Sequence, residues 1–215
     1  VQTLQTVIPA PKVPSSPALL AEAAFGPSFD AGEYIVKLIK GEDTLVTRVN
    51  LQYNPASGHS AADRKQRYTT MMDAYNLLEE LAWLDNMALE IGARTKGLAD
   101  TIQNKALRAK SLTIAKRMEE IHAGISATQP GEGGLAGQVR LREQIAEVYG
   151  AVAGYEGKPT NVQMDALSKY TKEVADIKAE LEKLIAGELN TYNQALAKQN
   201  LKPVTVTPKD AFLKR

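Results

Sequence analysis

The sequence has no cysteine, and only two histidines, one tryptophan and three phenylalanines in 215 residues. Without cysteine there is no disulfide scaffold, no thiol nucleophile and no cysteine-ligated zinc or iron–sulfur site. The two histidines, His59 and His122, stand in neither a His-Glu-x-x-His nor a His-x-x-Glu-His pattern. They therefore indicate no metal site, and a surface or capping role is the reading for both. A charge excess is missing too. There are 26 Lys and Arg against 25 Asp and Glu, a net charge of +1, whereas a dedicated nucleic-acid binder carries a marked basic surplus. No apolar run reaches the ~18 residues that a membrane span needs. The opening Val1-Gln2-Thr3-Leu4 lacks the basic and apolar stretches of a signal peptide. Val1 in place of Met predicts a trimmed, processed or partial chain, with any export signal upstream.

What is present is an apolar fraction of 44%, ample for a core at this length, and a second half dominated by Ala, Leu, Glu and Lys, which predicts helices. Residues 1–32 are irregular. Pro9, Pro11, Pro14 and Pro17 fall close together, and each fixes φ and removes a backbone donor. The segment reads as an extended crossing or linker that Leu19, Leu20 and Phe25 would anchor. The pattern then changes to two β-branched and aromatic runs, 33–39 and 44–51, around the turn Lys40-Gly41-Glu42-Asp43. This predicts a hairpin. Tyr34, Val36 and Leu38 share one face, while Ile35 and Ile39 flank Lys37 on the other. Two strands alone are marginal in water, so the hairpin calls for more sheet, from Thr3–Ile8 or from outside the chain.

Asn54-Pro55 ends the second strand, and Ser60-Ala61-Ala62-Asp63 resembles a capping box. Tyr68, Met71, Met72, Tyr75, Leu78, Leu81, Trp83, Leu84, Ala88 and Ile91 then recur at helical spacing. That helix is expected to continue past Gly92 and Gly97. A second helix is expected from about 106 to 126, with Leu112, Ala115, Met118, Ile121 and Ile125 as its stripe. A third is expected from about 135 to 153, and a last from the capping box Thr160-Asn161-Val162-Gln163 to about 199. Such helices with short turns pack most simply as an antiparallel bundle.

Chemistry-bearing motifs are sparse. Gly131-Glu132-Gly133-Gly134-Leu135-Ala136-Gly137 superficially matches a phosphate-binding loop, but a helix rather than a strand precedes it, so an interhelical loop is the better reading. There is no Gly-x-Ser-x-Gly elbow, Walker loop or EF-hand loop. Glu79-Glu80 and Glu119-Glu120 are adjacent in sequence, do not share a helix face and read as solvated charge. Lys105, Arg108, Lys110, Lys116 and Arg117 form a basic stretch without an intervening acid. Contact with an anionic partner is its functional reading, and a solvated helix face the more ordinary one.

One set of residues goes beyond composition. Gly32-Glu33-Tyr34-Ile35-Val36-Lys37-Leu38, Gly41, Val46-Thr47-Arg48-Val49 and Asn54-Pro55 resembles the C-terminal region of bacterial exported proteins with sortilin-like (VPS10-type) or Asp-box (BNR) β-propellers, often labelled glycosyl hydrolases. In those proteins such a hairpin closes a small sandwich and a helical region follows. Val148-Tyr149-Gly150 through Gly157-Lys158-Pro159-Thr160 is similar to the loop before that family's last helix, and Leu189-Asn190 through Leu201-Lys202-Pro203 to its closing segment. The Ser-x-Asp-x-Gly-x-x-Trp box is absent, so no propeller residue carries over, and the hydrolase label rests on a fold that does not imply function.

The expected fold is mainly α: an antiparallel bundle of three to four long helices, preceded by a β-hairpin from a small, incomplete β-sandwich. Residues 1–55 would form the proline-rich segment and hairpin of an Ig/FnIII-like sandwich, 56–200 the helical bundle and 201–215 an extended, exposed tail. The expected role is a non-catalytic spacer, docking or protein-interaction module of a larger exported propeller protein. Its partner would be the rest of that polypeptide, with no nucleic acid, no transmembrane segment, and no catalytic, metal or cofactor residues. A free-standing envelope-complex subunit that binds by strand addition is the alternative, and a hydrolase with an unrecognised site the lesser one. Exported here means periplasmic, cell-surface or secreted, and follows from the resemblance alone.

Overall fold

The computed structural model describes residues 8–17, 20–128 and 139–214. It is mainly α-helical with one β-hairpin. Strands β1 (Gly32–Lys40) and β2 (Asp43–Leu51) lead into helix α1 (Ala61–Thr101), followed by α2 (Lys105–Ile125), α3 (Leu141–Ala153), α4 (Asn161–Leu184), a π turn (Ile185–Leu189), α5 (Asn190–Ala197) and α6 (Lys209–Leu213). At 41 residues, α1 is about 60 Å long and forms the spine against which α2, α3, α4 and α6 pack.

The helix ends follow from local chemistry. The Ser60 hydroxyl accepts the Asp63 amide at 3.1 Å and itself donates to the Asp63 carboxylate at 2.6 Å, a variation on the expected reciprocal box. Thr160 and Gln163 form the full box, at 3.2 and 2.8 Å. Asn104 caps α2 through the Leu107 amide at 3.0 Å, and the short connection 102–104 returns α2 antiparallel to α1. The last long helix stops at Asn200, whose φ of 56° is the left-handed conformation of a helix C-cap. There the Leu201 amide reaches back to the Leu196 carbonyl at 3.0 Å.

The core is built from Leu78, Leu81, Leu84, Ala88 and Ile91 of α1, Ile114, Met118 and Ile125 of α2, Ile145 and Tyr149 of α3, and Leu181, Tyr192 and Leu196 of the last long helix. The α2 stripe differs from expectation. Ala115, Met118, Ile121 and Ile125 are buried as expected, but Leu112 is 48% exposed, and Leu107, Ser111 and Ile114 complete the buried row. Ser111 belongs to that row because its hydroxyl bonds the buried Tyr192 hydroxyl, so a polar residue occupies a core position and conceals the register. The π turn is a second difference from the single helix expected. Leu184 and Leu189 are both buried at a spacing too long for one α-helical step, and the added residue of a π turn keeps both facing inward.

Both terminal segments wrap the bundle. Phe25 is 80% exposed and does not anchor the proline-rich arm. Pro11 and Pro14 are buried instead, and Leu20 packs against the core; Leu19 lies outside the described residues. Gly26 is needed where the arm turns, since a Cβ there would sit 1.5 Å from the Ile8 carbonyl oxygen. The tail is extended over 201–208 and lies against the bundle, with Lys202, Pro203, Thr205 and Pro208 exposed and the residues between them turned inward. Val204 is buried, its backbone paired with the Asn193 amide at 2.8 and 3.0 Å. Further along, Glu90 holds Thr207 through its amide at 2.9 Å and hydroxyl at 2.7 Å, and the Trp83 indole donates to the Thr207 carbonyl at 3.0 Å.

Candidate interaction surface

Among the described residues the sheet consists of β1 and β2 alone, in antiparallel register from Gly32↔Leu51 to Lys40↔Asp43. Gly41 has a φ of 62°, and Glu42 has no positive φ. That combination is a two-residue II′ loop, whose twist suits the flanking strands and whose first position favours glycine. The turn expected over Lys40-Gly41-Glu42-Asp43 is therefore a β-turn closed by the Lys40↔Asp43 pair, and each strand runs one residue further toward it than expected.

Directly opposed residues share a face. One face carries Tyr34, Val36, Leu38, Leu45, Val49 and Leu51, with Thr47 and the tip pair Lys40 and Asp43 as its polar members. The other alternates Ile35, Ile39 and Val46 with Glu33, Lys37, Thr44, Arg48 and Asn50. Both faces are open. Ile35, Leu45 and Val46 each keep at least 60% of their surface exposed, and Leu38 and Ile39 at least half. Covering these side chains would yield on the order of 5–10 kcal/mol before ordering costs. Both strands are edge strands within the described residues, with unpaired backbone groups along their outer sides.

The root of this hairpin is held firmly. Asp30 is buried, and its carboxylate accepts from the Tyr53 hydroxyl, from Lys65 Nζ at 2.7 Å and from the Ala31 amide at 2.9 Å. The Tyr34 hydroxyl donates to the Asp30 carbonyl at 2.9 Å, and the Tyr34 ring meets Phe29 edge-on at 5.2 Å. Arg64 stacks over the Tyr53 ring at 4.9 Å and donates to the Asn54 carbonyl at 3.3 Å. One carboxylate thus joins the entry to β1, the exit from β2 and the first turn of α1. Burial by itself pushes the Asp30 carboxyl up, but the bonds from Lys65, Tyr53 and Ala31 outweigh it and hold it below 3.8. Burial, with the hydrogen bond to Asp30 second and the Asp30 charge third, raises the Tyr53 phenol to about 12.

His59 packs edge-on against Tyr155 at 5.2 Å in the turn before α1, and a Cβ on Gly157 would collide with both rings. His122 is not a surface residue. Its Nδ1 lies 2.6 Å from the carboxylate of Asp85, which is 1% exposed. Nothing in the spacing of Asp85 and His122 announces this pair, because it joins two helices. The Gly131–Gly137 loop lies outside the described residues. Lys116 and Arg117 pair with Glu120, and Arg117 also with Glu180, while Lys105 and Arg108 are exposed on α2. Glu119 pairs with Lys96. Glu80, read as solvated charge, instead bonds Lys178 at 3.0 Å and Lys209 of the tail. Burial opposes ionisation of Glu80, yet the two lysines win and hold its carboxyl below 4.5.

Among the described residues no cluster of three or more His, Asp or Glu side chains could hold a metal ion, and no helix is long and apolar enough to cross a membrane. Comparison of the chain with protein-family models, with curated proteins and with solved structures finds no match.

Proposed function

We propose that this chain is a non-catalytic docking module of a larger exported protein, and that the β1–β2 hairpin completes a sheet whose remaining strands lie outside the chain. The observation that carries this reading is the hairpin itself: apolar on both faces, open on both edges, and fixed at its root by Asp30. A projecting two-stranded element is marginal alone, so side chains of this kind at its tip are best accounted for by a covering surface. The nearly all-apolar face, with Tyr34, Val36, Leu38, Leu45, Val49 and Leu51, suits the inside of a sandwich. The alternating face suits a flank where Lys37 and Arg48 reach water over their aliphatic stems. The sequence resemblance to sortilin-like and Asp-box propeller proteins supplies the identity of the sheet: the small sandwich beside the propeller of the same exported polypeptide.

The same free edges favour a second reading, in which the sheet belongs to another chain and is joined by strand addition. Intact mass and N-terminal sequencing of the native protein from its source cells separate the two. A mass well above 23.3 kDa, with Val1 internal, is the expected result. A native chain beginning near Val1 would overturn the first reading and leave the second.

A further inference from the structure

We propose that the Asp85–His122 pair is a latch through which protonation holds the N-terminal arm across α1 and α2. The arm crosses with Pro11 and Pro14 buried. Polar contacts fix it beside the pair: the Ser15 amide donates to Asp85 Oδ2 at 3.1 Å, and the Ser16 hydroxyl donates to the Ala127 carbonyl at 3.2 Å. Asp85 Oδ1 meets His122 Nδ1 at 2.6 Å. One buried carboxylate therefore ties α1, α2 and the arm together. Ser126, whose amide donates to the His122 carbonyl at 2.9 Å, is fully buried with an unpartnered hydroxyl, so it does not serve Asp85.

On α2, Glu119 is paired with Lys96; on α1, Glu90 holds Thr207; on the arm, Lys12 donates to the Phe212 carbonyl at 2.6 Å. Among the described residues Asp85 is the charged group that acts on the His122 ring.

The sign follows from desolvation. With His122 protonated, the arm covers a pair of zero net charge. With His122 neutral, it covers a carboxylate cut off from water and answered only by N–H groups, which is costly. Arm docking and His122 protonation therefore favour one another, and the coupling is reciprocal. In the closed arrangement the Asp85 hydrogen bond, working against burial, raises the imidazole above 6.5. A raised group contributes fully below its free value, and its contribution is lost as pH rises through the closed-state value. The arm is thus expected to loosen on the alkaline side.

NMR on the 215-residue chain tests this by following the His122 ring and the exchange protection of the Ser15 amide from about pH 5.5 to 9. Protection, corrected for intrinsic exchange, is expected to fall with the His122 midpoint. The fall should be about tenfold if the His122 pKa is one higher with the arm docked than released. His122→Asn keeps a donor near the Nδ1 position but no charge, and it should hold Ser15 at the low, alkaline-side protection across the range. Ser15 protection that stays flat while His122 titrates would overturn the latch. The wild-type titration decides this even where the variant fails to fold.

Discussion

Leu84→Ala is expected to lower the stability of the chain by about 2–5 kcal/mol, the cost of a cavity in a core that cannot collapse around it. For a domain of this size that corresponds to a fall of roughly 4–20 °C in Tm. Leu84 has no exposed surface and sits mid-way along the α1 spine, in the row that continues through Leu81, Ala88 and Ile91. Leu112→Ala makes the same chemical change on α2 at a side chain that is 48% exposed, and should change stability by no more than about 0.5 kcal/mol. Thermal unfolding of the two variants compares them directly. A large loss at Leu112 would contradict the α2 register described above.

Asp30→Asn is expected to act on the root of the hairpin and leave the bundle alone. Without the Asp30 charge, one contribution to the raised Tyr53 phenol disappears while burial, the larger, remains. The Tyr53 pKa should therefore move from about 12 part of the way toward 10. Carbon-13 tyrosine NMR reads this shift residue by residue. The pH behaviour of the wild-type root has the opposite sense to that of His122. The Asp30 carboxyl is depressed below 3.8 in the folded chain, so its contribution is present above that value and is lost as pH falls through the folded one. Acid should free the hairpin root before the bundle unfolds, seen as early chemical-shift changes at Tyr34 and Tyr53. Simultaneous loss of root and bundle would contradict that order.

The parts of this fold that could be read from the sequence are those set by local periodicity. The α1 row from Met71 to Ile91, the caps Ser60 and Thr160, and the hairpin with its Gly41 turn all carry their cause within a few residues. What escaped has non-local causes. Ser111 looks like a surface residue until Tyr192, far along the chain, supplies its partner. The tail from Leu201 reads as solvated because it has no period, yet Glu90 and Trp83 of α1 fasten it. Its place is set by single polar contacts that periodicity does not encode. The same holds for the Asp85–His122 pair, which no motif spacing reveals. The hairpin is the reverse case: its apolar alternation was plain, and so was its need for more sheet, which the sequence left to Thr3–Ile8, of which residues 3–7 lie outside the described residues, or to strands outside the chain.

Hydrogen exchange over residues 32–51 is the most direct test of whether that surface is covered in the native protein. It would be measured on the isolated 215-residue chain and on the protein taken intact from its source cells. The isolated chain should exchange quickly along both strands, as expected of edge strands joined only to one another. In the intact protein the same peptides should be strongly protected, while those of α1 behave alike in both. Equal, rapid exchange of the hairpin in the two samples would contradict a completed sheet and remove the basis for a docking role.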